Sequence, residues 1–156
     1  MKQMATVLLL ATTAISLVAS SGDGQCANGL TVRVAQVHGK REVAIELVNH
    51  TSRAVSLRSD QLPWEWRYAM VMKAVKTDSV GTLLGEDYGI SDPVPRTVIV
   101  KAGDSIRGSV DLDLRFPGLE EALKVTDVLL LWSYVPVVDG RSQSRSAGVL
   151  ILHRTN

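Results

Sequence analysis

The sequence has few histidines that could carry out acid–base catalysis. His38, His50 and His153 are the only three histidines, and they lie far apart in the chain. No Ser or Cys stands in a nucleophile motif such as Gly-x-Ser-x-Gly, which presents a hydroxyl to a histidine base. We therefore expect a protein that is not an enzyme and has no catalytic residue. A small hydrolase whose site is assembled by folding is one alternative.

Two methionines have a spacing that suits a metal. Met70 and Met72 point to the same side of an extended strand, and thioether sulfurs are ligands for Cu(I). Asp111 and Asp113 share that spacing, but no Asp-x-Asp-x-Asp-Gly loop supports a Ca²⁺ site. We expect no metal and no cofactor, and a periplasmic copper-handling protein is the other alternative.

The methionines end a longer stripe of large side chains. Every second position is aromatic or methionine: Trp64, Trp66, Tyr68, Met70 and Met72. This is the period of a β-strand, and methionine beside aromatic residues commonly fills gaps in a core. We expect a strand over residues 64–75 whose stripe lies between two sheets, with Trp64 partly exposed.

The charges of the chain are balanced. Lysine and arginine total 17 against 16 for aspartate and glutamate, without a long basic run. Because nucleic-acid binding depends on a cationic surface, we expect no nucleic-acid partner.

The first 21 residues have the pattern of a signal peptide. Lys2 precedes an apolar run over residues 5–19, and small residues follow before Gly22. The run is short and broken by hydroxyl residues, so we expect export to the periplasm or the extracellular space and no membrane span. A buried N-terminal helix is the alternative.

Residues 22–28 are expected to be a flexible start of the mature chain. They contain Cys26, which is the single cysteine. An odd thiol in an oxidising compartment can link two chains, so a disulfide-linked dimer through Cys26 is one possibility and a passive thiol is the simpler one.

Short alternating segments separated by turn residues fill the rest of the chain. We expect strands over residues 30–37, 43–47, 55–57, 64–75, 98–101, 106–114, 126–135 and 149–153, and one helical turn over residues 117–124. This pattern indicates an all-β, Ig-like antiparallel β-sandwich of about seven or eight strands, forming one domain over residues 29–156. A barrel is the alternative.

Residues 126–135, with the sequence TDVLLLWSYV, are apolar at successive positions. A strand with two apolar faces is typical of the centre of a sheet, so we expect it to be covered on both sides.

Two phrases of the sequence resemble a known family. They are VAIELVNHTSRAVSL at residues 43–57, and VIVKAGDSI at residues 98–106 followed by Val110, Asp111 and Leu112. These phrases resemble secreted bacterial Ig-like sandwiches, including the proteinase-inhibitor type and deuterolysin-propeptide-like domains. The resemblance spans residues 43–114. It implies a sandwich fold and a non-catalytic role, and it assigns no functional residue.

These observations favour an exported binding module that contacts another protein, as an inhibitor-like domain or an accessory subunit. Residues 76–96 form an irregular segment that is longer than a connection needs. Its apolar side chains either dock onto the chain's own sheet or contact a partner. The candidate partner contacts are Trp64, Leu83, Leu84, Tyr88 and Ile90.

Overall fold

The computed structural model describes residues 29–78, 82–87, 89 and 94–155. The expected signal peptide at residues 1–21 and the expected flexible segment at 22–28, which includes Cys26, lie outside the described residues. Tyr88 and Ile90 also lie outside them.

Short strands make up most of the described chain. In chain order they are β1 (Leu30–Gln36), β2 (Glu42–Asn49), β3 (Val55–Arg58), β4 (Met70–Lys76), β5 (Thr97–Val100), β6 (Ser105–Asp111), β7 (Val128–Tyr134), β8 (Val137–Val138), β9 (Arg141–Ser142) and β10 (Ser146–Leu152). Two short helices, α1 (Leu112–Arg115) and α2 (Leu119–Leu123), lie between β6 and β7. No helix of the described residues has the length and apolar content needed to cross a membrane.

The strands form two main antiparallel sheets. One has the order β1-β2-β6 and the other the order β10-β7-β4, while β3 pairs with β5 and β8 pairs with β9. Alternate residues of both main sheets are buried, among them Ile45 and Leu47 of β2 and Leu130 of β7. Apolar side chains from the two sheets thus share one core, and the all-β antiparallel sandwich predicted from the sequence is confirmed.

Asn49 organises the corner between β2 and β3. Its side-chain nitrogen donates to the carbonyl oxygen of Arg53 at 2.8 Å and lies 3.1 Å from the carbonyl oxygens of Val100 and Lys101. Its Oδ1 accepts from the backbone nitrogen and Oγ1 of Thr51. Asn49 is fully buried, and its amide supplies hydrogen bonds to the backbone carbonyl groups around this corner.

The strand predicted over residues 64–75 is wrong in its first half, because β4 begins only at Met70. The backbone nitrogens of Glu65 and Trp66 both donate to the carbonyl oxygen of Leu62, which closes a turn after Pro63, and a 3-10 turn follows at Arg67–Ala69. Met70 and Met72 are fully buried, as the stripe predicted. Tyr68 is 49% exposed and does not belong to the core, since it precedes the strand.

The strand predicted over residues 106–114 also ends early. The carboxylate of Asp111 accepts hydrogen bonds from the backbone nitrogens of Asp113 and Leu114 and so caps helix α1. Leu112 is therefore buried, whereas Leu114 is exposed rather than inward-facing. Asp113 binds Arg41 at 2.7 Å, so the two carboxylates do not lie on one strand face.

A small hairpin lies between residues 135 and 149, where no strand was predicted. Asp139 and Gly140 link β8 to β9 with φ values of 50° and 75°, the left-handed conformations of a two-residue turn. The carboxylate of Asp139 accepts from the backbone nitrogen of Ser56 at 2.9 Å and from its Oγ at 3.0 Å. These hydrogen bonds lower the pKa of Asp139 and fasten the hairpin to β3.

Candidate binding surface

The sheet β10-β7-β4 has one face that is open to solvent. Its strands alternate between buried residues and outward residues, and the outward residues are mostly aliphatic. Together with Leu83, which bridges to Val75, they define the outer apolar face: Val71, Lys73, Val75, Leu83, Leu129, Leu131, Ser133, Ala147, Val149 and Ile151. Only Lys73 and Ser133 in this set are polar.

The strand register aligns these side chains in rows. The longest row runs across four segments, in the order Leu83, Val75, Leu129 and Ile151. The next row contains Lys73, Leu131 and Val149, and the last contains Val71, Ser133 and Ala147. Side chains opposite each other on one face are in contact range, so the rows form a continuous surface.

Exposure of these side chains is substantial even near the middle of the sheet. Leu131 on the central strand is 40% exposed, Val149 is 43% exposed and Ile151 is 52% exposed. Strand β7 is the centre of its sheet, as predicted. The prediction that both its faces are covered is wrong for the described residues, because core side chains cover only the face that contains Leu130.

The other sheet, β1-β2-β6, has an outer face of the usual polar kind. Glu46 on β2 lies opposite Arg33 on β1 and Arg107 on β6. It accepts hydrogen bonds from both arginines, at 3.3 Å and 2.7 Å respectively. The hydrogen bond from Arg107 is the largest cause that lowers the pKa of Glu46. An antiparallel sheet with one solvated face normally carries such polar residues, so the outer apolar face is the exception within this molecule.

The segment at residues 82–87 docks along β4 and widens the outer apolar face. The backbone nitrogen of Lys76 donates to Thr82 O at 3.0 Å, and that of Leu84 donates to Ala74 O at 2.9 Å. Leu83 is 57% exposed. Leu84 packs against the core instead. Docking onto the chain's own sheet therefore accounts for this part of the long segment.

Charged side chains also hold the same segment in place. Glu86 accepts from Arg115 Nε at 2.8 Å and from Lys73 Nζ at 3.0 Å. Arg115 also donates to the carbonyl oxygen of Met70 at 2.8 Å. The side chains of Glu86 and Arg115 are only 7% and 5% exposed. The single cation of the outer apolar face, Lys73, is thus neutralised by a buried carboxylate.

Three of the five predicted contact residues are described, and these three lie in different places. Leu83 lies on the outer apolar face and Leu84 points into the core, while Tyr88 and Ile90 are outside the described residues. Trp64 packs elsewhere, against β6. Its indole ring lies so close to Gly108 that a Cβ at this position would overlap with it. Trp64 is partly buried there, as predicted.

Two shallow clefts contain polar side chains. A cleft of about 200 Å³ lies between Trp64, Arg67 and the end of β6. A groove of about 480 Å³ lies beside the β8–β9 hairpin and is lined by Arg53, Asp139 and other residues. Asp139 is bound to Ser56 and Arg53, and Asp111 in the smaller cleft caps helix α1. These carboxylates serve the fold.

The histidine and methionine candidates have the following surroundings in the described part of the chain. His153 Nδ1 lies 3.3 Å from Asp127 Oδ2, and within the described ranges no hydroxyl or thiol is hydrogen-bonded to this pair's imidazole. The sulfurs of Met70 and Met72 are enclosed in the core. In the same ranges, no group of three or more His, Cys, Asp or Glu side chains is arranged to hold a metal ion.

No family model matches the chain, and no curated protein matches it at a significant level.

The sequence indicates the outer apolar face only when the strands are considered together. Strand β7 reads as apolar on both sides, and the outward positions of β10, Val149 and Ile151, are apolar too. Only the pairing of β4 and β10 with β7 brings these positions onto one side.

Proposed function

We propose that this chain is an exported, non-catalytic binding module that contacts another protein surface through the outer apolar face. The observation that carries the proposal is the difference between the two outer faces of the sandwich. One presents the ladder of Arg33, Glu46 and Arg107, and the other presents aliphatic rows centred on Leu131. A large aliphatic sheet face that is exposed on a domain is commonly covered by another surface.

The size of the face supports a protein contact. Three strands of seven residues, spaced about 4.8 Å apart and rising about 3.4 Å per residue, cover roughly 350 Å² of sheet. The largest apolar patch on a monomer typically covers about 300–600 Å² and is often functional, and this face falls in that range. The adjoining Leu83 enlarges the area.

The composition of the face favours a protein over a lipid surface. Membrane-surface segments combine aromatic side chains with lysine or arginine. The outer apolar face has no aromatic residue, and its one cation, Lys73, is paired with Glu86 at 3.0 Å. An aliphatic sheet face whose one charge is paired instead matches the inner face of another sheet.

The leader at residues 1–21 and the resemblance of residues 43–114 to secreted inhibitor-type sandwiches support export and a binding role. The role is therefore proposed to be that of an inhibitor-like domain or an accessory subunit.

Two lysine substitutions test the proposal. Leu131→Lys places a charge at the centre of the outer apolar face, and Ala44→Lys places one on the exposed outer face of β2. Both sites are exposed strand positions, so both variants are expected to fold. Affinity capture from the producing cells should lose its specific partners with Leu131→Lys and retain them with Ala44→Lys. Equal capture by the two variants would contradict the proposal.

A further inference from the structure

We propose that the open edge of β6, the side of the strand that does not pair with β2, accepts an extended segment of another protein as a fourth strand of the sheet β1-β2-β6. The added segment carries an aspartate or glutamate that pairs with Arg67. This site is separate from the outer apolar face, and the inference does not rest on the proposed function.

Of the four edge strands of the two main sheets, β6 is the one that the described residues leave open. The sheet orders place β1, β6, β10 and β4 at the edges. The segment at residues 82–87 covers β4, where the backbone nitrogen of Leu84 donates to Ala74 O at 2.9 Å. Strands β1 and β10 approach each other. Among the described residues, only β2 pairs with β6.

The strand register shows which backbone groups face the open edge. The backbone nitrogen of Leu112, directly after β6, donates to Arg41 O at 2.9 Å. Hydrogen-bonded residues alternate along an antiparallel pair, so the N–H and C=O groups of Ser105, Arg107 and Ser109 point away from β2. Within the described ranges, these groups have no hydrogen-bond partner at the open edge. A row of this kind can pair with an extended segment of another chain.

The open edge lacks the features that commonly prevent strand addition. Proline, lysine and β-bulges block many exposed edges. Strand β6, with the sequence SIRGSVD, contains neither proline nor lysine, and its pairing with β2 is continuous from Ser105 to Asp111. Arg107 points to the outer face, where it binds Glu46 at 2.7 Å. The edge is therefore regular over its full length.

The cleft between Trp64, Arg67 and the end of β6 lies on the core side of this edge. Gly108 faces the core because its cross-strand partner is the buried Ile45, and the indole ring of Trp64 occupies the place of its missing side chain. A residue of the added strand opposite Val110 directs its side chain to the same side of the sheet. The cleft holds about 200 Å³, below the roughly 300–1,000 Å³ of small-molecule pockets. It therefore suits a side chain of the added strand.

Arg67 determines the charge of the side chain that enters the cleft. Its Nη1 is enclosed and has no hydrogen-bond partner, and the described residues provide no hydrogen bond or ion pair to the rest of its guanidinium. An enclosed charged donor without an acceptor is costly. A carboxylate matches a guanidinium best, because it accepts two parallel hydrogen bonds. An acidic side chain of the added strand supplies that acceptor.

The other charged residues that line the cleft are engaged within the chain. Glu65 is ion-paired with Arg96 at 2.8 Å, and the carboxylate of Asp111 caps helix α1. Arg115 belongs to the buried ion pair described above. Among the described residues that line the cleft, Arg67 is therefore the one whose charge has no partner.

A second copy of β6 does not provide the carboxylate. Two β6 strands that pair antiparallel about a two-fold axis keep their core-facing positions on one side of the joined sheet. These positions are occupied by Ile106, Gly108 and Val110, and none of them is acidic. The partner strand is therefore assigned to another protein.

Peptide binding to the purified exported protein tests the inference. The probes are three fluorescein-labelled heptapeptides, Ser-Val-Thr-Xaa-Thr-Val-Ser, with Glu, Gln or Lys at the central position. The Glu peptide should bind about tenfold more tightly than the Gln peptide, and the Lys peptide should bind more weakly than either. Arg67→Gln should remove the difference between the Glu and Gln peptides. Fluorescence polarisation measures the affinities.

Proline substitutions separate strand addition from a side-chain contact alone. Ser109→Pro removes an N–H group that faces the open edge, so the pairing of β6 with β2 is retained. Gln36→Pro is the matched control, because the N–H group of Gln36 points away from β2 at the outer edge of β1. The Glu peptide should no longer bind to Ser109→Pro and should still bind to Gln36→Pro.

Hydrogen exchange of the wild-type protein gives a readout that needs no variant. The bound Glu peptide should slow deuterium exchange at the backbone amides of Arg107 and Ser109, which face the open edge. The amide of Gly108 faces β2 and should exchange at the same rate with and without the peptide.

Absence of binding by all three peptides up to the millimolar range would overturn the inference, as would equal affinities for the Glu and Lys peptides or unaltered binding to Ser109→Pro. If the wild type self-associates and Ser109→Pro does not, the open edge pairs with a second copy and the assigned occupant is wrong. Leu131→Lys should leave peptide binding unchanged, so the results of partner capture with that variant bear on the proposed function alone.

Discussion

Glu86 Oε1 accepts a hydrogen bond from Arg115 Nε at 2.8 Å, and this contact ties the segment beside β4 to the short helix after β6. Both side chains are almost completely buried. Leu83 belongs to the same segment as Glu86, so the buried pair also holds Leu83 at the border of the outer apolar face.

Glu86→Gln should destabilise the fold and release the segment at residues 82–87. The variant removes the buried carboxylate that accepts from Arg115 and Lys73, and we expect a loss of about 3–5 kcal/mol in the free energy of unfolding. The amide of Leu84, which donates to Ala74 O, should exchange faster with deuterium. Urea unfolding and hydrogen exchange measure the two effects.

Glu120→Gln is the matched control. Glu120 lies on α2 with a side chain that is 57% exposed, 3.5 Å from Arg41, and an exposed pair of this kind contributes little. Equal stability losses for the two variants would show that burial of Glu86 has no special role.

Asn49→Ala should be among the most destabilising single substitutions at a polar position. It removes the hydrogen bonds to three carbonyl oxygens, of Arg53, Val100 and Lys101, in a fully buried environment. We expect a cost of about 3 kcal/mol or more, because buried carbonyl groups lose their donor. Denaturant unfolding measures it, and a cost below that of a surface substitution would contradict the described corner.

Leu130 and Leu131 are neighbours with opposite environments and offer a matched pair. Leu130 is fully buried, so Leu130→Ala should cost about 2–5 kcal/mol of unfolding free energy. Leu131→Ala should cost less than about 1.5 kcal/mol for a monomer in dilute solution, because Leu131 is 40% exposed there. If the two variants are equally destabilised at high dilution, β7 is covered on both faces within one chain.

Tyr134 should make the fold sensitive to alkali. Burial raises the pKa of its phenol, which donates to Gln61 O at 2.8 Å. Below about pH 10 the phenol is protonated in both the folded and the unfolded chain, so it adds no pH dependence. Above that pH the unfolded chain loses the proton while the folded chain keeps it, and stability falls as pH rises.

Tyr134→Phe isolates this effect. The variant should lose about 1 kcal/mol at neutral pH with the hydrogen bond to Gln61, and its stability should fall less steeply above pH 10. Unfolding midpoints measured between pH 7 and pH 11 give the comparison. An unchanged slope would show that Tyr134 ionises in the folded chain.

Much of the fold follows from sequence periodicity, because a strand with one buried face shows a local alternation of apolar and polar residues. Val43, Ile45 and Leu47 alternate with outward residues and predict β2. The errors fall where a local hydrogen bond overrides the period of two. Asp111 caps a helix and ends β6, and the turn at Leu62 delays β4 until Met70.

Two further features were beyond the reach of single-strand patterns. The Asp139-Gly140 dipeptide is a local hairpin signal, but β8 and β9 have only two residues each, which is too short for alternation to predict strands. The outer apolar face depends on which strands lie beside β7. The order β10-β7-β4 joins strands that are far apart in the sequence, so a short stretch of sequence does not predict it.

The most direct measurement of the binding proposal is photo-crosslinking inside the producing cell. A benzophenone amino acid replaces Val149, which is exposed on the outer apolar face, or Ala44, which is exposed on the outer face of β2. We expect the probe at position 149 to give discrete protein adducts, and the probe at position 44 to give few. Adducts that are equally abundant at the two positions, or absent at position 149, would contradict the assignment of the outer apolar face as the contact surface.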